Sequence, residues 1–194
     1  MARSDRPSTQ VAVGEVLHRL HAANRAARHY GRLDGTWRWD DPEHRYGALY
    51  VGMTQEGPFA ETILRRPRQT DIVWSEVEKR RWATFRVTEP LHLADMHGKG
   101  ISWQGVTVAV IAADHDGKAY PGTYAETQAI SAEVHATTDL DGIAYRSRFE
   151  PDQLCIALFD RADHKIEVIQ EGDPIDRGWV EALLQSHGKQ VIDV

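Results

Sequence analysis

Apolar positions along the chain come mostly in short runs separated by turn residues. GALYVG at 47–52, TVAVIAA at 107–113 and LCIALF at 154–159 are unbroken runs, the pattern of strands buried on both faces. WATFRV at 82–87 and PLHLADM at 90–96 alternate in part, and HKIEVIQEG at 164–172 reads as a more exposed strand. Helical spacing shows in three places. The first starts near Pro58, runs to about Arg66 and stops at Pro67, because proline suits a helix's first turn and disrupts its interior. The second follows the Pro-Gly turn in YPGTYAETQAISAEVHATT, with Ala125, Ala129, Ile130, Ala132 and Val134 available for packing. The third is GWVEALLQSHG, ended by Gly188.

Between these elements the pattern is less decisive. Residues 11–30 fit either a helix stripe through Leu17, Leu20, Ala23 and Ala27 or a short strand over VLHRLH, and DIVWSEV fits a short helix or a turn. GRLDGTWRWDDPEHRYG mixes glycine, Asp-Pro and alternating charges and reads as loop, as does DHDGK. Residues 1–10 are polar with Pro7 and are expected to be a disordered lead-in, leaving 11–194 as one domain. Strands without strict alternation with helices predict an α+β fold of mixed sheets and flanking helices rather than a doubly wound parallel sheet.

Composition narrows the chemistry. With 194 residues the chain can bury a core, and a net charge of -6 with pI near 5.9 provides no global basic field, so no nucleic-acid partner is expected. Cys155 is the only cysteine and sits in an apolar run, which excludes an internal disulfide and reads as core. No apolar run nears the roughly 20 residues needed to span a bilayer, and the first residues lack an apolar signal core, so a cytoplasmic protein without a membrane partner is expected. Phosphate-loop, dinucleotide-fingerprint, zinc-protease and nucleophile-elbow motifs are missing, and the ten histidines are scattered, so no metal is expected.

One stretch concentrates chemistry. WRWDDPEHRYGALYVGMTQEGPFAETIL, residues 37–64, places Arg38 between two tryptophans, then Tyr50, then Glu61. A guanidinium forks onto phosphate oxygens, an aromatic ring covers a base, and a carboxylate stabilises cationic carbon, a set suited to a dinucleotide. Periodicity pulls the other way for Glu61: Phe59, Ala60, Ile63 and Leu64 share a helix face from which it points away, so its functional reading requires that outward face to line a cleft. Arg19, between His18 and His21, reads on its own as a surface charge.

Taken in order, HRLH at 18–21, WRWDDP at 37–42, YGALYVG at 46–52, PFAET at 58–62, DGIAYRSR at 141–148 and ALFDR at 157–161 resemble the RES domain family, named for its Arg, Glu and Ser. The resemblance implies an ADP-ribosyltransferase-like fold and an enzyme that consumes NAD as substrate, with no resident cofactor. Members split the nicotinamide–ribose bond using phosphate or water, as an NAD phosphorylase or glycohydrolase; some relatives transfer ADP-ribose to protein. Carried onto this chain, Arg38, Glu61 and Ser147 are the catalytic residues, and Arg19, Arg38, Tyr50 and Ser147 the NAD-binding ones. The family also implies a toxin with a cognate antitoxin partner, and a homodimer is an open expectation. A non-catalytic NAD-binding domain is the reading from another class. Two departures stand out: Trp37 precedes Arg38 where glycine or asparagine is frequent, and the segment between Glu61 and Ser147 is longer than in compact members.

Overall fold

The apolar run at 48–52 becomes an inner strand of an eight-stranded sheet. Residues 6–31, 35–118 and 121–193 are described in a computed structural model of the chain. The strands are β1 (Ser8–Val11), β2 (Val16–Ala22), β3 (Ala48–Gly52), β4 (Asp71–Val73), β5 (Arg80–Val87), β6 (Leu91–Met96), β7 (Gly142–Arg146), β8 (Leu154–Phe159), β9 (Ile166–Asp173) and β10 (Gln190–Ile192). The helices are α1 (Glu56–Ile63), α2 (Trp74–Val77), α3 (Lys99–Gln104), α4 (Val108–Ile111), α5 (Ala125–Thr137) and α6 (Arg177–Ser186). The large sheet has the order β1-β6-β7-β8-β3-β2-β5-β9, and β10 pairs with β4 in a separate two-stranded parallel sheet.

Within the large sheet only β6 and β7 run parallel, and the connection between them carries α3, α4 and α5. A parallel pair needs such a crossover, whereas antiparallel neighbours can be joined by a tight turn. The result is the expected α+β domain. The strand alternative holds for residues 16–22: Val16–Ala22 pair with β5 along their whole length, so a nonlocal ladder decides what local periodicity left open.

Alternation along the strands sorts side chains to two faces. Leu17, Leu49, Val51, Phe85, Leu93, Ile156 and Leu158 form one buried cluster. That cluster joins Leu93 of β6 with Phe85 and Val87 of β5, although four strands lie between them in the sheet order, so the sheet curls around it. The other face carries two clusters. One gathers Trp39, Tyr46, Ile143, Tyr145, Ala157 and Phe159 under Ile130 and Val134 of α5. The second sets Phe59 and Ala60 of α1 against Leu20, Trp82 and Val180 and Leu184 of α6.

Two expectations are corrected. TVAVIAA is no buried strand: Val108–Ile111 form α4, Val108 is 66% exposed, and Ile111 alone of its four residues is buried. An unbroken apolar run has no period, so it cannot tell strand from helix; here both sides of β6 are already taken, by β1 and β7. The polar lead-in is the second. Ser8–Val11 pair with β6, Thr9 donates to Asp95 at 2.5 Å, and Arg6 donates to Gln104 and Glu133 at 2.8 and 3.1 Å. A polar strand can join a sheet edge through backbone bonds alone, leaving no hydrophobic signature in sequence. Residues 1–5 of that expectation lie outside the described residues.

Candidate active site

Arg38 sits in a turn that two elements grip. The Tyr50 hydroxyl, from β3, donates to Asp40 Oδ1 at 2.9 Å and accepts the Trp39 amide at 3.0 Å, while the Trp37 amide donates to Asp40 Oδ2 at 2.9 Å. From α5, Gln128 Nε2 donates to the carbonyls of Gly35 and Trp37 at 2.6 and 2.9 Å, and Ser131 Oγ donates to the Trp39 carbonyl at 2.7 Å. The buried face of α5 is therefore partly polar, with Thr127, Gln128 and Ser131 beside Ile130 and Val134. It holds an irregular backbone whose carbonyls would otherwise be buried without donors. Trp39 fills the core against Tyr145, at 5.6 Å between ring centroids, which turns Arg38 the other way.

Arg38 is 6% exposed, lies 4.6 Å over the Tyr124 ring, and donates from Nη2 to the Ala113 carbonyl at 3.0 Å. Its Nη1 is buried with no partner among the described residues.

Glu61 comes from α1. The helix begins at Glu56, two residues before Pro58, which costs nothing because the first four amides of a helix have no internal acceptor. α1 lies close on the end of β3: a Cβ on Gly52 would stand 2.5 Å from Pro58 Cδ. With Phe59, Ala60 and Leu64 buried, Glu61 is left half-buried on the opposite side, near the helix's C-terminal end. The helix dipole disfavours a carboxylate there, so outside donors are needed. They come from the segment after β7. Ser147 Oγ donates to Glu61 Oε1 at 2.6 Å, and the Arg148 amide donates to the same oxygen at 3.2 Å. The Ser147 hydroxyl also accepts from the amides of Phe149 and Glu150 at 3.2 and 3.3 Å, which aims its one proton at Glu61.

The segment after α4 closes the arrangement. Arg148 Nη1 donates to the Ala113 carbonyl at 3.0 Å, the acceptor Arg38 also uses, and to Asp114 at 2.8 Å. His115 lies between Trp37 and Tyr124, its ring centroid 5.1 and 5.4 Å from theirs. Arg65, four residues after Glu61, lies 4.4 Å over the Trp37 ring and donates from Nε to the Glu61 carbonyl. Arg38, Arg65, Arg148 and the Glu61 carboxylate thus all gather around Tyr124. Burial pushes the Tyr124 hydroxyl above its ordinary pKa, with the three arginines opposing; burial and then Cys155 push Tyr145 well above it. Both phenols stay neutral at physiological pH.

The structure brings Arg38, Glu61 and Ser147 together, Arg148 bridging them through its backbone amide and side chain. Tyr50 is placed under the Arg38 turn, its hydroxyl engaged there. Arg19 is not brought to the cleft. It pairs with Ala83 on the strand face opposite Leu20, donates to the His29 carbonyl at 3.0 Å, and its Nε and Nη1 are buried without partners among the described residues. Burial lowers its pKa to about 10, which still leaves it a cation near neutrality. Arg65, Arg148, Tyr124 and His115 escaped the sequence reading. Arg65 had a signal, being one helical turn from Glu61 on the same outward face. Arg148 had its adjacency to Ser147. The long segment that supplies Tyr124 and His115 had none.

A chain of the M. tuberculosis MbcT-MbcA toxin–antitoxin complex has a similar fold, with 16% sequence identity, a TM-score of 0.62, and coverage of 92% of this chain and 91% of that one. No curated protein matches this sequence. The RES domain model matches residues 13–179, a span that includes every residue of the cleft described above. The chain belongs to the RES domain family.

Proposed function

We propose that this protein degrades NAD by breaking the bond between nicotinamide and ribose, and that it is the toxin of a toxin–antitoxin pair. The observation that carries the reading is the Glu61 carboxylate, fixed by Ser147 and the Arg148 amide and gathered with Arg38, Arg65 and Arg148 around Tyr124. Family membership and a fold neighbour from a toxin–antitoxin complex support it.

The chemistry needs one anion in a cationic site. When the glycosidic C–N bond breaks, both electrons leave with nicotinamide, which departs neutral, and C1′ of the ribose takes on oxocarbenium character. A carboxylate beside that carbon binds the transition state more strongly than the ground state, because the positive charge grows along the reaction. Glu61 is that carboxylate. Ser147 holds its orientation, and Arg38 holds the diphosphate through a guanidinium that Tyr124, Ala113 and the Tyr50-braced turn immobilise. Tyr50 then acts through Arg38 rather than on the nicotinamide. Arg19, on the other sheet face, is left without a direct contact to substrate. Water attacking C1′ gives ADP-ribose and a proton; phosphate gives the 1″-phosphate of ADP-ribose. Such a substrate implies action in the cytoplasm, where an antitoxin would have to cover the cleft.

The test is mass spectrometry of the products formed from NAD by the purified protein, with and without phosphate, beside the Glu61→Gln variant. The expected result is free nicotinamide with ADP-ribose or its phosphate, lost in the variant. Label from NAD fixed on protein would instead identify an ADP-ribosyltransferase. No consumption under any condition would overturn the enzymatic reading.

A further inference from the structure

Arg148 has an unequal set of partners. Its side chain is 16% exposed, yet the carboxylate it meets, Asp114, is 77% exposed. A pair whose acid stands in water is held weakly, because solvent and salt screen it. The cation, in contrast, has already lost most of its hydration and gains most from a better anion. The Ala113 carbonyl that completes its contacts is shared with Arg38, each guanidinium 3.0 Å from it, so the two bonding nitrogens lie within twice that distance of each other. Arg38 adds a buried Nη1 with no partner among the described residues. Two guanidinium groups thus converge on one uncharged main-chain oxygen, and Arg148 adds one exposed carboxylate, where a diphosphate would offer charged oxygens to both groups at once. Arg148 also lines a cavity of about 270 Å³ with Leu64, Pro67, Phe149, His187 and Lys189.

We propose that Arg148 is a further substrate-binding residue of this site, a donor to the diphosphate of a dinucleotide, and that Ala113 and Asp114 hold the place of the phosphate oxygens until substrate displaces them. The proposal rests on the NAD reading for the identity of the dinucleotide, but its anion chemistry stands apart from turnover. Guanidinium forks match the paired oxygens of a diphosphate, and one such group on each side of it fixes the ribose end against Glu61. The Asp114 carboxylate acts as an internal competitor, so the loop that closes the cleft also sets how much NAD is needed to open it.

Asp114→Asn should lower KM for NAD by about two- to fivefold, the range of an exposed ion pair. Arg148→Ala should raise KM by about tenfold or more, the range of hydrogen bonds to a charged group, with a smaller effect on kcat because the backbone amide that holds Glu61 remains. In the Arg148→Ala background, Asp114→Asn should then change nothing. The same variants are titrated calorimetrically with inorganic pyrophosphate: Asp114→Asn should bind it more tightly and Arg148→Ala more weakly than the wild type. Arg148→Lys, which keeps the charge without the fork, should fall between if Arg148→Ala is poorly folded. Unchanged pyrophosphate affinity in Asp114→Asn, or an Asp114 effect that survives without Arg148, overturns the proposal even if NAD is consumed. Shifted pyrophosphate affinity in a protein that leaves NAD intact would uphold it and overturn the NAD reading instead.

Discussion

Glu61→Gln separates the charge of the carboxylate from its shape. Glutamine keeps an oxygen that can accept from Ser147 Oγ and from the Arg148 amide, now 2.6 and 3.2 Å from Oε1, so the segment after β7 retains its anchor. What disappears is the negative charge among Arg38, Arg65 and Arg148. Two hydrogen bonds pass from charge-assisted to neutral, but Glu61 is half-buried and partly hydrated, so the fold should lose only about 1 kcal/mol. For a domain of this size that is a fall in Tm of roughly 2–4 °C. Catalysis should suffer far more. Removing one electrostatic group aimed at developing charge typically costs about 10²–10³ in kcat. Nicotinamide release at saturating NAD, read beside a thermal melt, measures both quantities on one preparation. A variant that melts as expected and still releases nicotinamide at the wild-type rate refutes the assignment of Glu61. Equal losses of rate and folded fraction would mean that the carboxylate serves the fold alone.

Tyr50→Phe removes the hydroxyl that joins Asp40 to the Trp39 amide and should cost about 1–3 kcal/mol in urea denaturation, because Asp40 is buried; KM for NAD should rise as the Arg38 turn loosens. Gly52→Ala puts a Cβ 2.5 Å from Pro58 Cδ, and the ring and helix must shift, so a loss of about 1–3 kcal/mol with a fall in activity is expected by denaturation and kinetics. Burial lowers the pKa of His18, His21 and His135 below the ordinary 6.5, so the fold prefers their neutral forms. The stability this brings is full above pH 6.5 and is lost as pH falls toward and through the lowered values. Denaturation midpoints should therefore fall as the pH is taken from 7 to 5, and His135→Gln, which removes the ring stacked on Tyr46 at 4.0 Å, should flatten part of that slope.

Short-range features of the chain were legible because local physics decides them. Glycine-bounded GALYVG could hardly be anything but an inner strand, the Pro58 and Pro67 signals bracketed α1 within a few residues, and the spacing of Phe59, Ala60 and Leu64 fixed which way Glu61 must point. The motif order also brought out Arg38, Glu61 and Ser147 as a set. Tertiary structure alone decided what each meets. Whether Glu61 looked into water or into a cleft depended on β7 ending beside α1, a contact between residues 86 positions apart. Arg19 reads like any other arginine of the set, yet strand pairing sends it to the far face, since a one-residue change of register is a change of side. TVAVIAA failed as a strand, and Ala113 and Asp114 emerged as partners of Arg38 and Arg148, for the same reason: an apolar run and a polar loop carry no information about which surface they will cover.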